Sequence, residues 1–356
     1  MQFLCLRNSF SIIIFSFVVI NSSYIWSVAA QDTPRFRALF AYGDSMVDTG
    51  NNNFTLTIMK SNFAPYGVNL GVATGRFSNG RILCDHLADR LEINLAKVPP
   101  YLQPDISPED FIKGISFASA GAGYDILTST SRSSISLADQ LKNWQEYRGK
   151  LIARIGDGAA ATLVANTSLH LVVAGTEDIV SYFGSNSPRR SQYDLDAYTN
   201  LMYDSAASFL QVLYENGARN IGVVGVPPVG CFPTHRNEAG CAGNMNQGAE
   251  LFNSKLSERI PELATRLKKS KIFYMDFYGV YVDTITDLKT WGFSNANQTC
   301  CKTGNKDVSY LCDKENPTTC AFKEFPHHFY WDGFHPTEYG HRMLSRFIQP
   351  YIALYE

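Results

Sequence analysis

Along the chain, short apolar runs alternate with longer stretches in which apolar residues recur every three or four positions. The runs Ala38 to Tyr42, Gly114 to Ser119, Leu169 to Ala174, Ile221 to Val226 and Ile272 to Met275 have the length and composition of strands. Leu169 to Ala174 is nearly all apolar, as a strand covered on both faces should be. Between the runs, Ile82, Leu87 and Leu91 carry helical spacing. So do Tyr198, Leu201, Met202, Phe209, Leu210 and Leu213, with Gly217 placed to end that helix. Leu251, Phe252, Leu256, Ile260, Leu263 and Leu267 make a third, kinked at Pro261. Tyr339, Met343, Leu344, Phe347 and Ile348 make a last one, with Pro336 at its first position. Strands and helices alternate throughout, and that order predicts an α/β fold, a parallel sheet with helices on both faces.

The first thirty residues stand outside this pattern. Arg7 precedes an apolar run from Phe10 to Ile20, and Val28-Ala29-Ala30 supplies the small residues of a cleavage site. Asn21, Ser22 and Ser23 interrupt the run well short of the roughly 20 residues a transmembrane helix needs. The reading is a secretory signal peptide over residues 1–30. It leaves residues 31–356 as one domain, since no Pro/Ser-rich or charged linker divides them. No later stretch predicts an integral membrane segment.

Net charge is −2 and the lysines and arginines are scattered, so nothing argues electrostatically for nucleic acid or an anionic membrane surface. Beyond the leader the cysteines are Cys84, Cys231, Cys241, Cys300, Cys301, Cys312 and Cys320. In a secreted chain their clustering reads as disulfides, Cys231 with Cys241 as the local pair and the last four among themselves, with Cys84 left as a buried thiol. Sequons at Asn53, Asn166 and Asn297 predict N-glycans on surface loops, the first of them bordering Ser45. There is no Cys-x-x-Cys pair, no His-Glu-x-x-His helix and no dinucleotide or P-loop glycine pattern, so no metal or cofactor is expected.

The chemistry gathers at strand ends. Gly43-Asp44-Ser45 breaks the first strand at its C-terminal end, where open α/β sheets place ligands. A helix starting just after Ser45 would set its hydroxyl beside free backbone N–H groups, which makes Ser45 a candidate nucleophile. The competing reading is that Asp44 or Ser45 only caps that helix. The second strand runs into Ala120-Gly121-Ala122-Gly123, where glycine lets a backbone approach a ligand. The segment Gly75 to Arg81 reads as a polar loop that orders a surface. Asp332 and His335, with Gly333 between them, are spaced so that a tight turn brings the carboxylate to one imidazole nitrogen and leaves the other to take the Ser45 proton. A metal hydrolase could draw on His327, His328, Asp332 and His335, but the spacing fits no common site; His327 and His328 read as loop residues at a cleft rim. His86, His170, His235 and His341 read as structural or exposed.

Taken together these blocks resemble the plant GDSL esterase/lipases of the SGNH hydrolase superfamily, from about Leu39 to the last helix. The blocks are Gly43-Asp44-Ser45-Met46, Phe117 to Gly123, Gly217 to Ile221 with Pro227 to Cys231, and Asp332-Gly333-Phe334-His335-Pro336-Thr337. The resemblance implies a three-layer αβα sandwich with a mainly parallel five-stranded sheet of flavodoxin-like type. It also implies a secreted hydrolase of carboxylic esters in lipids or acylated glycans, working through an acyl-enzyme. Ser45 would be nucleophile, His335 base and Asp332 its orienter, with the N–H groups of Ser45 and Gly121 lining an oxyanion hole. Where the family has Gly-x-Asn-Asp and the Asn gives a third oxyanion donor, this chain has Gly175-Thr176-Glu177-Asp178. An ionised Glu177 cannot donate there. A protonated Glu177 that donates, a Glu177 turned aside in a slower enzyme, and a non-catalytic lipid- or glycan-binding protein all remain open. Acyl transfer to an alcohol would use the same residues.

Overall fold

The computed structural model describes residues 35–354, so the leader read at residues 1–30 lies outside the described residues. The first half runs β1 (Ala38–Gly43), α1 (Leu83–Arg90), α2 (Pro108–Lys113), β2 (Gly114–Ser116), α3 (Ile126–Ser131), α4 (Leu137–Ile155), α5 (Asp157–Asn166) and β3 (Ser168–Val173). There follow α6 (Thr176–Phe183), α7 (Pro188–Gln192), α8 (Leu195–Glu215), β4 (Asn220–Val224), α9 (Gly243–Arg266), β5 (Lys271–Met275) and α10 (Phe277–Thr286). The chain closes with β6 (Asn295–Thr299), β7 (His328–Tyr330) and α11 (Glu338–Ala353).

Five strands form one parallel sheet in the order β2-β1-β3-β4-β5, with β1 beside β3 in the register Leu39 to Leu169 and Ala41 to Leu171. Every residue of β1, β3 and β4 is buried, which explains why those runs read as continuously apolar. Successive side chains of a strand point to opposite faces. On one face Phe40 and Tyr42 pack against Trp144 of α4, and Tyr42 against Phe209 of α8. The other face carries α1 and α11, which pack on each other and against β1 and β5. The result is a three-layer α/β sandwich, as the sequence pattern predicts. His170 lies within it, bonded to Tyr42 Oη and Ser168 Oγ, and burial pushes its pKa down to about 3, so it is a neutral core residue.

Two local expectations shift. Pro336 lies ahead of the last helix rather than at its first position, because Thr337 is the cap and accepts the Gly340 N–H. Helix α9 holds Pro261 within its length, as the sequence reading has it. The longest helix that periodicity overlooked is α4, although Ser136 caps it through the Asp139 N–H and Leu137, Leu141, Trp144 and Leu151 form its buried stripe. The disulfides are Cys231–Cys241, Cys300–Cys320 and Cys301–Cys312, and Cys84 is a buried free thiol. Among the described residues no helix is long and apolar enough to cross a membrane.

Candidate active site

Ser45 stands where β1 ends. Gly43 has φ +128, and a Cβ there would fall 1.7 Å from the Val173 carbonyl oxygen, so only glycine permits the turn. Gln140 of α4 brackets it, accepting the Gly43 N–H at 2.8 Å and donating to its carbonyl at 2.9 Å. No regular helix follows. Residues 44–48 make a single turn in which the Val47 and Asp48 N–H groups reach the Asp44 carbonyl, and the Asp44 carboxyl accepts the Met46 N–H. Asp44 therefore does cap a turn, while the Ser45 side chain is left for other work.

Past this turn, buried polar side chains tie the loop to the end of β2. Asp48 accepts the N–H groups of Gly50, Asn51 and Ala120 at 2.8 to 2.9 Å. Asn51 donates to the carbonyls of Ser116 and Ala118, and Asn52 to those of Met59 and Ala120. These bonds fix the segment that carries Gly121, whose φ of +85 again requires glycine. Among the described residues neither the Ser45 N–H nor the Gly121 N–H has a hydrogen-bond partner.

His335 arrives from the other end of the chain, in the loop between β7 and α11. Its Nε2 lies 2.7 Å from Ser45 Oγ, and its Nδ1 2.9 Å from Asp332 Oδ2. Asp332 is wholly buried and accepts the backbone N–H groups of Phe334 and His335 as well as the Tyr66 hydroxyl at 2.6 Å. Tyr66 in turn accepts the Cys312 N–H. Four donors thus hold one carboxyl, and the imidazole is left one orientation, in which Nε2 faces Ser45. Ser45 is 1% exposed and His335 is wholly buried.

The segment Gly75 to Gly80 is buried and belongs to this site, not to the surface. Phe77 packs its ring 4.9 Å from that of His335, Ser78 donates to the Pro336 carbonyl, and Asn79 accepts the Glu338 N–H. Arg76 grips Asp85 with Nε at 2.7 Å and Nη2 at 2.8 Å and also donates to the Thr49 and Val98 carbonyls.

Glu177, at the start of α6, is wholly buried. Its Oε1 accepts the Tyr310 hydroxyl at 3.0 Å, and its Oε2 has no hydrogen-bond partner, with Arg132 Nη2 at 3.9 Å. Next to it Asp178 accepts the Tyr124 and Asp125 N–H groups and the Thr128 hydroxyl, anchoring the chain beyond Gly121. Burial raises Asp44 well above the usual carboxylate range, and the Glu177 and Asp178 charges add to that, against the Met46 N–H.

Of the residues singled out from sequence, the structure brings together Ser45, Asp332 and His335. His327 and His328 lie elsewhere, on carbonyls of Gly292 and Glu324. Asn166 and Asn297 are exposed, and the Asn53 side chain is half-buried with its amide on the Thr74 carbonyl. Sequence reasoning did not find Tyr66, Arg132 or Tyr310, whose contacts join positions far apart in the chain.

The family model described as GDSL-like Lipase/Acylhydrolase matches residues 39–348. The GDSL esterase/lipase At1g20120 of Arabidopsis thaliana is 42% identical over 318 residues, covering 87% of this chain and 78% of that protein. The GDSL esterase/lipase EXL3 of the same plant is 41% identical over 327 residues, covering 88% of each. Among solved structures, LAE5, an alpha/beta hydrolase enzyme from the metagenome of Lake Arreo, overlays with a TM-score of 0.41 at 11% identity, covering 91% of this chain and 100% of that one.

Proposed function

Because the chain belongs to the GDSL-like lipase/acylhydrolase family, we propose that it is a secreted serine esterase acting on carboxylic esters of lipids or acylated glycans. The observation that carries this reading is the continuous hydrogen-bonded line from Asp332 through His335 to Ser45. Residues 31–356 form one hydrolase domain after the leader is removed, with glycans at Asn166 and Asn297.

In the first half-reaction Ser45 Oγ adds to the ester carbonyl carbon and its proton passes to His335 Nε2. The carbonyl π electrons move onto oxygen, facing the partnerless N–H groups of Ser45 and Gly121. Asp332 keeps Nδ1 protonated and offsets the imidazolium charge. Collapse of the intermediate breaks the bond to the alcohol oxygen, which takes the proton from His335, and the acyl group stays on Ser45. Water then repeats the sequence, releasing the acid and free Ser45. With an alcohol in place of water the same steps give acyl transfer.

The test is turnover of a short-chain p-nitrophenyl ester by the secreted, disulfide-intact protein beside its Ser45→Ala variant. The variant is expected to fold and to lose at least ~10³-fold in rate. Equal rates from two folded proteins would overturn the mechanism.

A further inference from the structure

Glu177 is wholly buried at the start of α6 and as a carboxylate can only accept hydrogen bonds, and its neighbours supply what it lacks. Tyr310 holds one oxygen, so the carboxyl cannot swing freely, and the other oxygen is buried with no hydrogen bond and faces Arg132. Arg132, at the end of α3, stands against Gly121: a Cβ on Gly121 would lie 3.0 Å from Arg132 Cβ. Its backbone is fixed there, with its carbonyl accepting the Thr57 hydroxyl and its N–H donating to Ser129. Met59, which also crowds Gly121, touches the Tyr310 hydroxyl through its sulfur. Glu177, Tyr310, Met59 and Arg132 therefore form one cluster around Gly121.

Within that cluster Arg132 is the member that reaches solvent, with 26% of its side chain exposed, and among the described residues its guanidinium makes no hydrogen bond. A guanidinium carries five N–H donors in a planar fork. The Glu177 carboxylate bears on the charge at Asp44, and a negative charge developing on a substrate oxygen nearby would be repelled by it unless a cation stands beside it.

Resting on the esterase reading above, we propose that Arg132 is a catalytic residue that donates to the carbonyl oxygen of the substrate as charge builds there, and that Glu177 is the positioning residue that aims it. The carboxylate supplies orientation and the arginine supplies both the donor and the compensating charge. Tyr310, by holding Oε1, leaves Oε2 to the arginine.

The experiment compares the wild type with Ser45→Ala, Arg132→Ala, Arg132→Met, Glu177→Asn and the double variant Arg132→Ala/Glu177→Asn. Each is measured for kcat and KM on p-nitrophenyl acetate, for its rate of labelling by a fluorophosphonate and for its melting temperature. The expected result is a fall in kcat of ~10²- to 10³-fold in Arg132→Ala and Arg132→Met, with KM within ~3-fold and slower labelling. Adding Glu177→Asn to Arg132→Ala should restore at least ~10-fold of kcat, because a neutral amide can donate there and the uncompensated carboxylate is gone. Arg132→Met keeps the side-chain stem, so it separates lost packing from lost donation if the alanine variant fails to fold. If both folded Arg132 variants keep kcat within ~3-fold of wild type while Ser45→Ala is inactive, the inference is overturned and the esterase reading stands. A loss that Glu177→Asn does not relieve assigns Arg132 a structural role and also overturns it. If Ser45→Ala turns over and labels like wild type, the esterase reading itself fails.

Discussion

Ser45 is held by the sheet and by buried amides and carboxyls sewn into its edge, whereas Asp332 and His335 are held by a loop that leans on disulfides and tyrosines. On the first arm, Gly43 is bracketed by Gln140, and Asp48, Asn51 and Asn52 pin the loop to β2. On the second, Tyr66 links Asp332 to the N–H of Cys312, inside the loop closed by Cys301–Cys312. The segment Gly75 to Gly80 touches both, through Arg76 on Thr49 and through Phe77 and Ser78 on His335 and Pro336. The arm that carries Ser45 is thus continuous with the fold's core, while the arm that carries Asp332 and His335 is an annex whose order, on the proposed mechanism, matters to chemistry more than to the sheet. Damage to the first should cost the fold; damage to the second should cost turnover.

Arg76→Ala is the strongest way to break that comparison. It leaves the wholly buried Asp85 without its cation and frees the Thr49 and Val98 carbonyls. Removing one partner of a buried pair costs about 3–5 kcal/mol, so thermal melting should show a large fall in stability or no folded protein. A variant that melts like wild type would mean that Arg76 is not part of what holds the Ser45 arm.

Tyr66→Phe probes the other arm with a smaller change. It removes one of the donors on Asp332 and leaves the Cys312 N–H unpaired, at a cost of about 1–3 kcal/mol. The sheet should be untouched. The expected signature is kcat lowered by ~10-fold with KM unchanged, since the interaction bears on His335 and not on substrate binding. A Tyr66→Phe enzyme with normal kcat but a much lower melting temperature would reverse the roles assigned to the two arms.

The same contrast explains what the sequence could reveal. Strands β1, β3 and β4 are buried on both faces and therefore apolar along their length, so they were legible, as was the stripe of α8. Ser45, Asp332 and His335 were legible because local turns set them: Gly43 before the serine, and the three-residue spacing that lets Asp332 accept the His335 N–H and face its ring. Arg76 was read as part of a surface loop because its segment is polar and rich in turn residues, and its buried partner is nine residues away across a turn. Tyr66 and Tyr310 left no mark, since each lies in a loop without periodicity and meets partners 266 and 133 residues distant. Nor could composition tell that Glu177 would find Arg132. For α4 a signal existed in Ser136 and Asp139, and the exposed charges between its apolar residues concealed it.

The smallest expected effect sharpens the comparison through pH. Burial pushes the Asp48 carboxyl up to about 6, against the N–H groups of Ala120, Gly50 and Asn51 and the Arg76 charge, which pull it down. Its ordinary value in an unfolded chain is ~4, so folding takes up a proton between those limits. Stability from this group is then fully present below pH ~4 and is lost as pH rises through about 6. Between pH 7 and 5 the gain is on the order of 1 kcal/mol. Melting temperatures of the wild type and Asp48→Asn at pH 5, 6 and 7 should show a gap that moves in favour of the wild type as pH falls, because only the carboxyl titrates there. Parallel curves would place the acid response outside the Ser45 arm, whereas a widening gap would show that mild acid stabilises this arm by neutralising the buried Asp48 charge, a gain that outweighs the weaker hydrogen bonds a protonated carboxyl accepts from Ala120, Gly50 and Asn51.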